Sequence, residues 1–119
     1  MADHNDLGKK GEQLAIDFLL ENNYTILETN YRYLKAEVDI IAQKKDVLVA
    51  IEVKTRTSNY FGNPQDFVNP KKIKLLLSAI DNYVVERDLD VEVRFDIIAI
   101  ITNKKQTKIE HLKDAFLHF

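Results

Sequence analysis

An α/β fold, one mixed sheet flanked by helices, is predicted by three features of the sequence. The chain opens with apolar residues at helical spacing, continues with several short β-branched runs, and places a second helical stretch between those runs rather than after them. With 119 residues, 45% of them apolar, it can build a single core that buries about two-thirds of the surface its unfolded form exposes. Residues 1–119 are therefore read as one domain, with residues 1–5 as a flexible tail.

From Asp6, placed to cap a helix, Leu7, Gly11, Leu14, Ala15, Phe18 and Leu19 fall on one helical face, predicting a first helix over residues 6–22. Asn22-Asn23 breaks it, and the chain from Tyr24 to Tyr33 reads as extended. Two strand-like runs follow, Ala36 to Ala42 and Val47 to Thr55, joined as a hairpin by Gln43-Lys44-Lys45-Asp46. Gly62 and Pro64 mark residues 57–69 as a loop. Pro70 suits the first turn of a helix that runs to Arg87. A strand over Val91–Ile101, a short strand near Lys108–Glu110 and a frayed helix at Lys113–His118 complete the order helix, three strands, helix, strand, strand.

Composition narrows the chemistry. The absence of cysteine excludes disulfides, thiolate metal sites and thiol nucleophiles, leaving aspartate, glutamate, lysine and three histidines. The first residues carry acids where a secretion signal carries a basic region, and the longest apolar run, Ile97–Ile101, is far short of the roughly 20 residues a membrane span needs. A cytoplasmic protein without a membrane partner is expected. The net charge of -2 argues against a generally basic coat, yet the charges are segregated: Lys54 to Lys74 has a balance of +4, and Asp81 to Asp96 one of -4. Such segregation gives a nearly neutral chain one positive face, suited to an anionic polymer.

The hairpin carries the most chemical information. Asp39 and Glu52 interrupt otherwise apolar strands, and Lys54 shares a face with Glu52. A two-residue turn at Lys45-Asp46 would set Asp39 opposite Glu52, whereas a turn at Lys44-Lys45 would set them diagonally, about 5 or about 7–8 Å between Cβ atoms respectively. Like charges so placed repel unless a cation neutralises them. Mg²⁺, with Mn²⁺ as a substitute, prefers such oxygen donors beside a phosphate. An acid followed by Glu-x-Lys on the neighbouring strand is thus a candidate for metal-assisted phosphodiester hydrolysis, with Lys54 steadying the attacking water or the developing charge. The same residues would equally make a cross-strand ion-pair ladder on a solvated face, worth roughly 0–1 kcal/mol per pair.

The pattern also carries a resemblance. Gly11-Glu12-x-x-Ala15, Asn30-x-Arg32, Glu37-Val38-Asp39-Ile40-Ile41-Ala42, Glu52-Val53-Lys54-Thr55-Arg56, Gly62-x-Pro64, Lys72 and Arg94-Phe95-Asp96, in this order from Leu7 to Ile101, resemble the YraN-like family of small bacterial proteins. That family is placed in the restriction-endonuclease-like, PD-(D/E)xK nuclease superfamily, near the archaeal Holliday-junction resolvases. The resemblance implies an αβββαβ core, Asp39 and Glu52 as metal ligands joined by the Val53 backbone carbonyl, Lys54 as the catalytic lysine and Glu12 as a further acid. It departs at Ala36, where the family usually has Gly.

Other residues are weighed individually. Glu12 lies between the small residues Gly11 and Ala15, which let its helix approach the sheet closely; it is otherwise an ordinary solvated glutamate. Lys71, Lys72 and Lys74 open the second helix, where the macrodipole disfavours cations by a few tenths of a kcal/mol each, and a bound phosphate would compensate. Arg56 and Lys72 are the preferred phosphate contacts, followed by Arg32, Lys35, Lys71 and Lys74. Tyr60-Phe61 would stack on a base or pin its loop. His4, His111 and His118 are expected in structural or surface roles, and Arg94 and Asp96 as an internal ion pair supporting the sheet. The leading expectation is a Mg²⁺-dependent nuclease acting on nucleic acid, DNA rather than RNA, with branched or repair intermediates as substrates. Analogy with the resolvases adds a homodimer. A non-catalytic nucleic-acid-binding module and a protein-interaction domain are the alternatives.

Overall fold

A computed structural model describes residues 4–58 and 69–115. Its elements are α1 (His4–Glu21), β1 (Thr25–Tyr33), β2 (Ala36–Lys44), β3 (Val47–Arg56), α2 (Pro70–Glu86), β4 (Glu92–Thr102) and β5 (Thr107–Leu112). They form one five-stranded sheet in the order β1-β2-β3-β4-β5. β3 and β4 run parallel, joined across one face by α2, and every other neighbouring pair is antiparallel. The expected mixed α/β architecture holds.

Each helix covers one face. Ile73, Leu76, Ala79, Ile80 and Tyr83 of α2 pack on Val38, Ile41, Leu48, Ala50 and Ile97, while Ala15 and Leu19 of α1 pack on Ile40, Val49, Ile51, Ile98 and Ile100. Both faces of β3 and β4 are covered, which explains the continuous apolar runs Val47–Ile51 and Ile97–Ile101. α2 starts at Pro70 because the Asn69 side chain caps it, accepting the Lys72 N–H at 2.8 Å.

The ends differ from expectation. α1 already begins at His4, so Asp6 is a first-turn residue rather than the cap; an acid there suits the unpaired N–H groups of that turn. Residues 113–115 form a turn instead of a helix. The rest of the expected tail (1–3), the last four residues and the 59–68 stretch holding Tyr60-Phe61 and Gly62-x-Pro64 lie outside the described residues.

Two contacts lock α1 and the strands. Asp96, fully buried, accepts hydrogen bonds from Arg94 Nε and Nη2 at 2.9 Å each and from the Asp114 N–H at 3.1 Å, and lies 2.6 Å from His111 Nε2. Arg94 Nη2 also donates to the Tyr24 hydroxyl at 2.8 Å. Burial pushes Asp96 up, but the bonds from His111, Arg94 and Asp114 outweigh it and hold the carboxyl below its ordinary value. The internal Arg94–Asp96 pair is as expected, and His111 joins it in a structural role. At the other end of α1, a Cβ built on Gly11 would overlap Thr55 Oγ1 and stand 2.8 Å from Thr55 Cβ. Glycine is what lets the helix touch β3 there. Gly11→Ala is expected to lower unfolding free energy by about 1–3 kcal/mol through overpacking, read by urea denaturation; an unchanged midpoint would show that α1 does not need this close approach.

Candidate functional site

The site lies where β2 and β3 part. Their ladder runs from Lys44↔Val47 to Ile40↔Ile51, so the turn is Lys45-Asp46, and the register carried one step further sets Asp39 opposite Glu52. Lys45 takes the left-handed conformation, φ 56°, that this tight turn requires. Beyond Ile40 the backbone pairing gives way. The Val53 N–H, instead of meeting a β2 carbonyl, donates to Asp39 Oδ2 at 2.8 Å. A strand residue sends its N–H and C=O to the same side, so the Val53 carbonyl faces the same gap.

The pleat of β2 turns over at this point. Val38 belongs to the core beneath α2 and Ile40 to the core beneath α1, although residues two apart on a regular strand share a face. On β1, Asn30 adopts φ 53° between the pairs Thr29↔Ile40 and Tyr31↔Val38. Both strands therefore switch faces together. The Asp39 carboxylate is aimed into the fork, where groups from the two faces meet.

From the α2 side come Glu52 and Lys72, while Lys54 lines a cleft on the α1 side. Glu52 is 6% exposed; its Oε1 lies 2.6 Å from Lys72 Nζ and 3.6 Å from Lys54 Nζ. Lys72 reaches it from the capped first turn of α2. From the α1 side comes Glu12, which lines a cleft with Asp39, Lys54 and Arg56. Burial raises the Glu12 carboxyl, countered by a hydrogen bond from Asn30 and reinforced by the charge of Glu37. Burial also dominates at Asp39, and the charges of Glu52 and Glu12 add to it; against the Val53 N–H and Lys72 they push the carboxyl up to about 7. The oxygen donors facing the fork, two carboxylates and a backbone carbonyl, suit a hard divalent cation. Among the described residues no three acids or histidines stand together as a ready-made ligand cage, and Glu12 stays outside the Asp39–Glu52 pair.

The remaining predicted contacts divide by position. Arg56 is exposed at the end of β3, with Nη1 on the Thr55 carbonyl at 2.9 Å. Lys35 and Lys71 rim a second cleft beside Asp39 and Glu52. Lys72 points at Glu52 rather than outward. Lys74 is exposed on α2 and lines neither cleft. Arg32 is exposed on β1, 3.4 Å from Glu37, its cross-strand partner. Ala36 begins β2 with its methyl buried against the α2-side core. Sequence reasoning missed the Lys72–Glu52 pair and the role of Asn30; a non-glycine at left-handed φ leaves no trace in hydrophobic spacing beyond the preference of asparagine for that conformation.

An α/β protein with an acidic fork between two strands, bracketed by cations, is the class that fold and site define. Residues 11–100 match the uncharacterised protein family UPF0102, and the chain belongs to that family, in agreement with the YraN-like resemblance. It is 64% identical over 119 residues to a UPF0102 protein of Christiangramia forsetii and 60% identical over 119 residues to one of Flavobacterium psychrophilum, covering the full length of each chain in both cases. It is 45% identical over 116 residues to one of Bacteroides fragilis, covering 98% of this chain and 96% of that one. No helix among the described residues is long and apolar enough to cross a membrane.

The Asp39 shift has a consequence for stability. Between its ordinary 3.8 and about 7 the folded chain holds a proton that the unfolded chain releases, so the contribution is present at low pH and lost as pH rises through that window. In chelator, the melting temperature should fall by several degrees from about pH 5 to about pH 8 relative to Asp39→Asn, whose amide oxygen still accepts the Val53 N–H but cannot ionise. Parallel melting curves for the two proteins would contradict the raised value.

Proposed function

We propose that the chain is a divalent-cation-dependent nuclease that hydrolyses DNA phosphodiester bonds on a restriction-endonuclease-like core. The observation that carries this reading is the convergence of Asp39 and Glu52 from opposed strands on one fork, with Lys54 3.6 Å from Glu52 and cations on both sides. Asp39, Glu52 and the Val53 carbonyl would hold Mg²⁺, or Mn²⁺ in its place. Two carboxylates that also await a substrate phosphate are a usual Mg²⁺ arrangement. When bound, the cation supplies Lewis acidity at the phosphate and lowers the pKa of water.

The other steps belong to the chain's own residues. Ionisation of Asp39, disfavoured by burial and by Glu52, becomes favourable once positive charge enters the fork. Lys54, on the same face as Glu52, orients the attacking water and balances charge as it develops on the phosphate. Arg56 on one side and Lys71 on the other neutralise flanking phosphates. Lys72, now paired to Glu52, is free to meet a phosphate when Glu52 turns to the cation.

One observation favours a second reading, a DNA-binding module without catalysis: Lys72 sits 2.6 Å from Glu52 and already compensates the charge that a cation would. The two readings separate in one set of assays. The nuclease reading predicts saturable Mn²⁺ binding by calorimetry that is absent in Glu52→Ala, together with Mg²⁺-dependent cleavage that is lost in Asp39→Ala and Glu52→Ala. Lys54→Ala should still bind Mn²⁺ while cleaving about 10²-fold more slowly or worse. Equal cleavage by wild type and both acid variants would assign the activity elsewhere. Binding that survives EDTA and weakens steeply with salt, with no cleavage, would leave the binding module.

A further inference from the structure

Asp39 is shared by two clefts that meet at the fork. On the α1 side the cleft holds about 270 Å³ and is polar, with Glu12, Lys54 and Arg56 on its walls. On the α2 side it holds about 440 Å³, within the roughly 300–1,000 Å³ of small-molecule pockets. The larger cleft is layered. Ala36 and Leu76, 5% and 3% exposed, with half-buried Leu75, give it an apolar floor. Lys35 and Lys71 stand exposed at its mouth, and neither makes an ion pair to a carboxylate among the described residues.

The aliphatic floor itself offers a phosphate no hydrogen-bond donor. A flat apolar ring needs none. The layering matches a nucleotide in which the base faces inward and the charged backbone faces out. A base inside a duplex is stacked on both sides and cannot enter such a pocket without leaving the helix, which costs a few kcal/mol and least where the strand is already single.

We propose that the α2-side cleft seats one unpaired nucleotide, its base on Ala36, Leu75 and Leu76 and its phosphates between Lys35 and Lys71, so that the strand passes Asp39 in single-stranded form. The inference rests on the nuclease reading for its account of the acids and adds the substrate class: a strand locally unpaired at the point of cleavage, as at an end, a flap or a branch. The smaller cleft, with Lys54 and Arg56, then takes the backbone on the far side of Asp39.

The test is fluorescence anisotropy with one short labelled oligonucleotide, single-stranded or annealed to its complement, in Ca²⁺, with Mg²⁺ cleavage measured in parallel. Wild type should bind the single strand about tenfold or more tighter than the duplex. Leu75→Trp, which fills the cleft, and Lys71→Glu, an exposed change that leaves the core intact, should each weaken single-strand binding about tenfold while leaving calorimetric Mn²⁺ binding as in wild type. Equal affinity for both forms, or single-strand affinity unmoved by both variants, overturns the assignment, and cleavage of the duplex in Mg²⁺ would then show that the nuclease reading survives it. The single-strand preference and its loss in both variants, without any cleavage, upholds the cleft and removes the catalytic reading instead.

Discussion

The hydrogen bond from the Val53 N–H to the Asp39 carboxylate, 2.8 Å, organises everything around it. Had the β2–β3 ladder continued, Asp39 would lie on one face of a closed sheet and Glu52 would meet it as an ordinary cross-strand pair. Because a side chain takes the place of a backbone partner, the strands part and a gap opens between two covered faces. Into that gap reach Glu52 and Lys54 from β3 and Lys72 from α2, while Glu12 borders it on the α1 side. The left-handed Asn30 on β1 lets the outer strand follow β2 as its pleat turns over, so the sheet keeps its pairing on the far side.

Two aspartates of the same sheet, Asp96 fully buried and Asp39 half-buried, have opposite electrostatic fates. Asp96 receives Arg94, His111 and the Asp114 N–H, so its charge is fully answered and its carboxyl is held low despite burial. Removing one partner of a buried pair of this kind costs about 3–5 kcal/mol, which makes the cluster an anchor between β4, β5 and the start of β1. Asp39 receives one backbone N–H and faces two other acids. Its charge is only partly answered, by the Val53 N–H and the more distant Lys72, and a carboxyl perturbed by burial and by a specific partner is a candidate for function. The anchor keeps the far end of the sheet rigid while the fork stays electrostatically incomplete.

Much of this was readable from residue spacing. The alternation in β2 and β3 exposed Asp39 and Glu52 as interruptions, and the two-residue turn at Lys45-Asp46 was one of the two registers the loop allowed. The expectation of Lys72 as a phosphate contact did not include its pairing with Glu52, because nothing in a helical run tells which of three lysines will point at an acid 20 residues earlier. The reversal of the β2 pleat could not be read at all. Period-two alternation assumes a regular strand, and Val38 and Ile40 look like neighbours on one face until the structure shows them in two cores. The early start of α1 and the non-helical 113–115 turn are end effects, which local sequence specifies least.

The proposed nuclease requires a divalent cation in the fork between Asp39 and Glu52. Paramagnetic broadening of backbone amide signals by substoichiometric Mn²⁺ tests it most directly, since the effect falls steeply with distance from the ion. The amides of Asp39, Glu52 and Val53 should vanish first, and those around Asp96 and Asp114 should persist. Broadening centred on another acidic patch, such as Asp88 to Glu92, or uniform weak broadening with no centre, would contradict it.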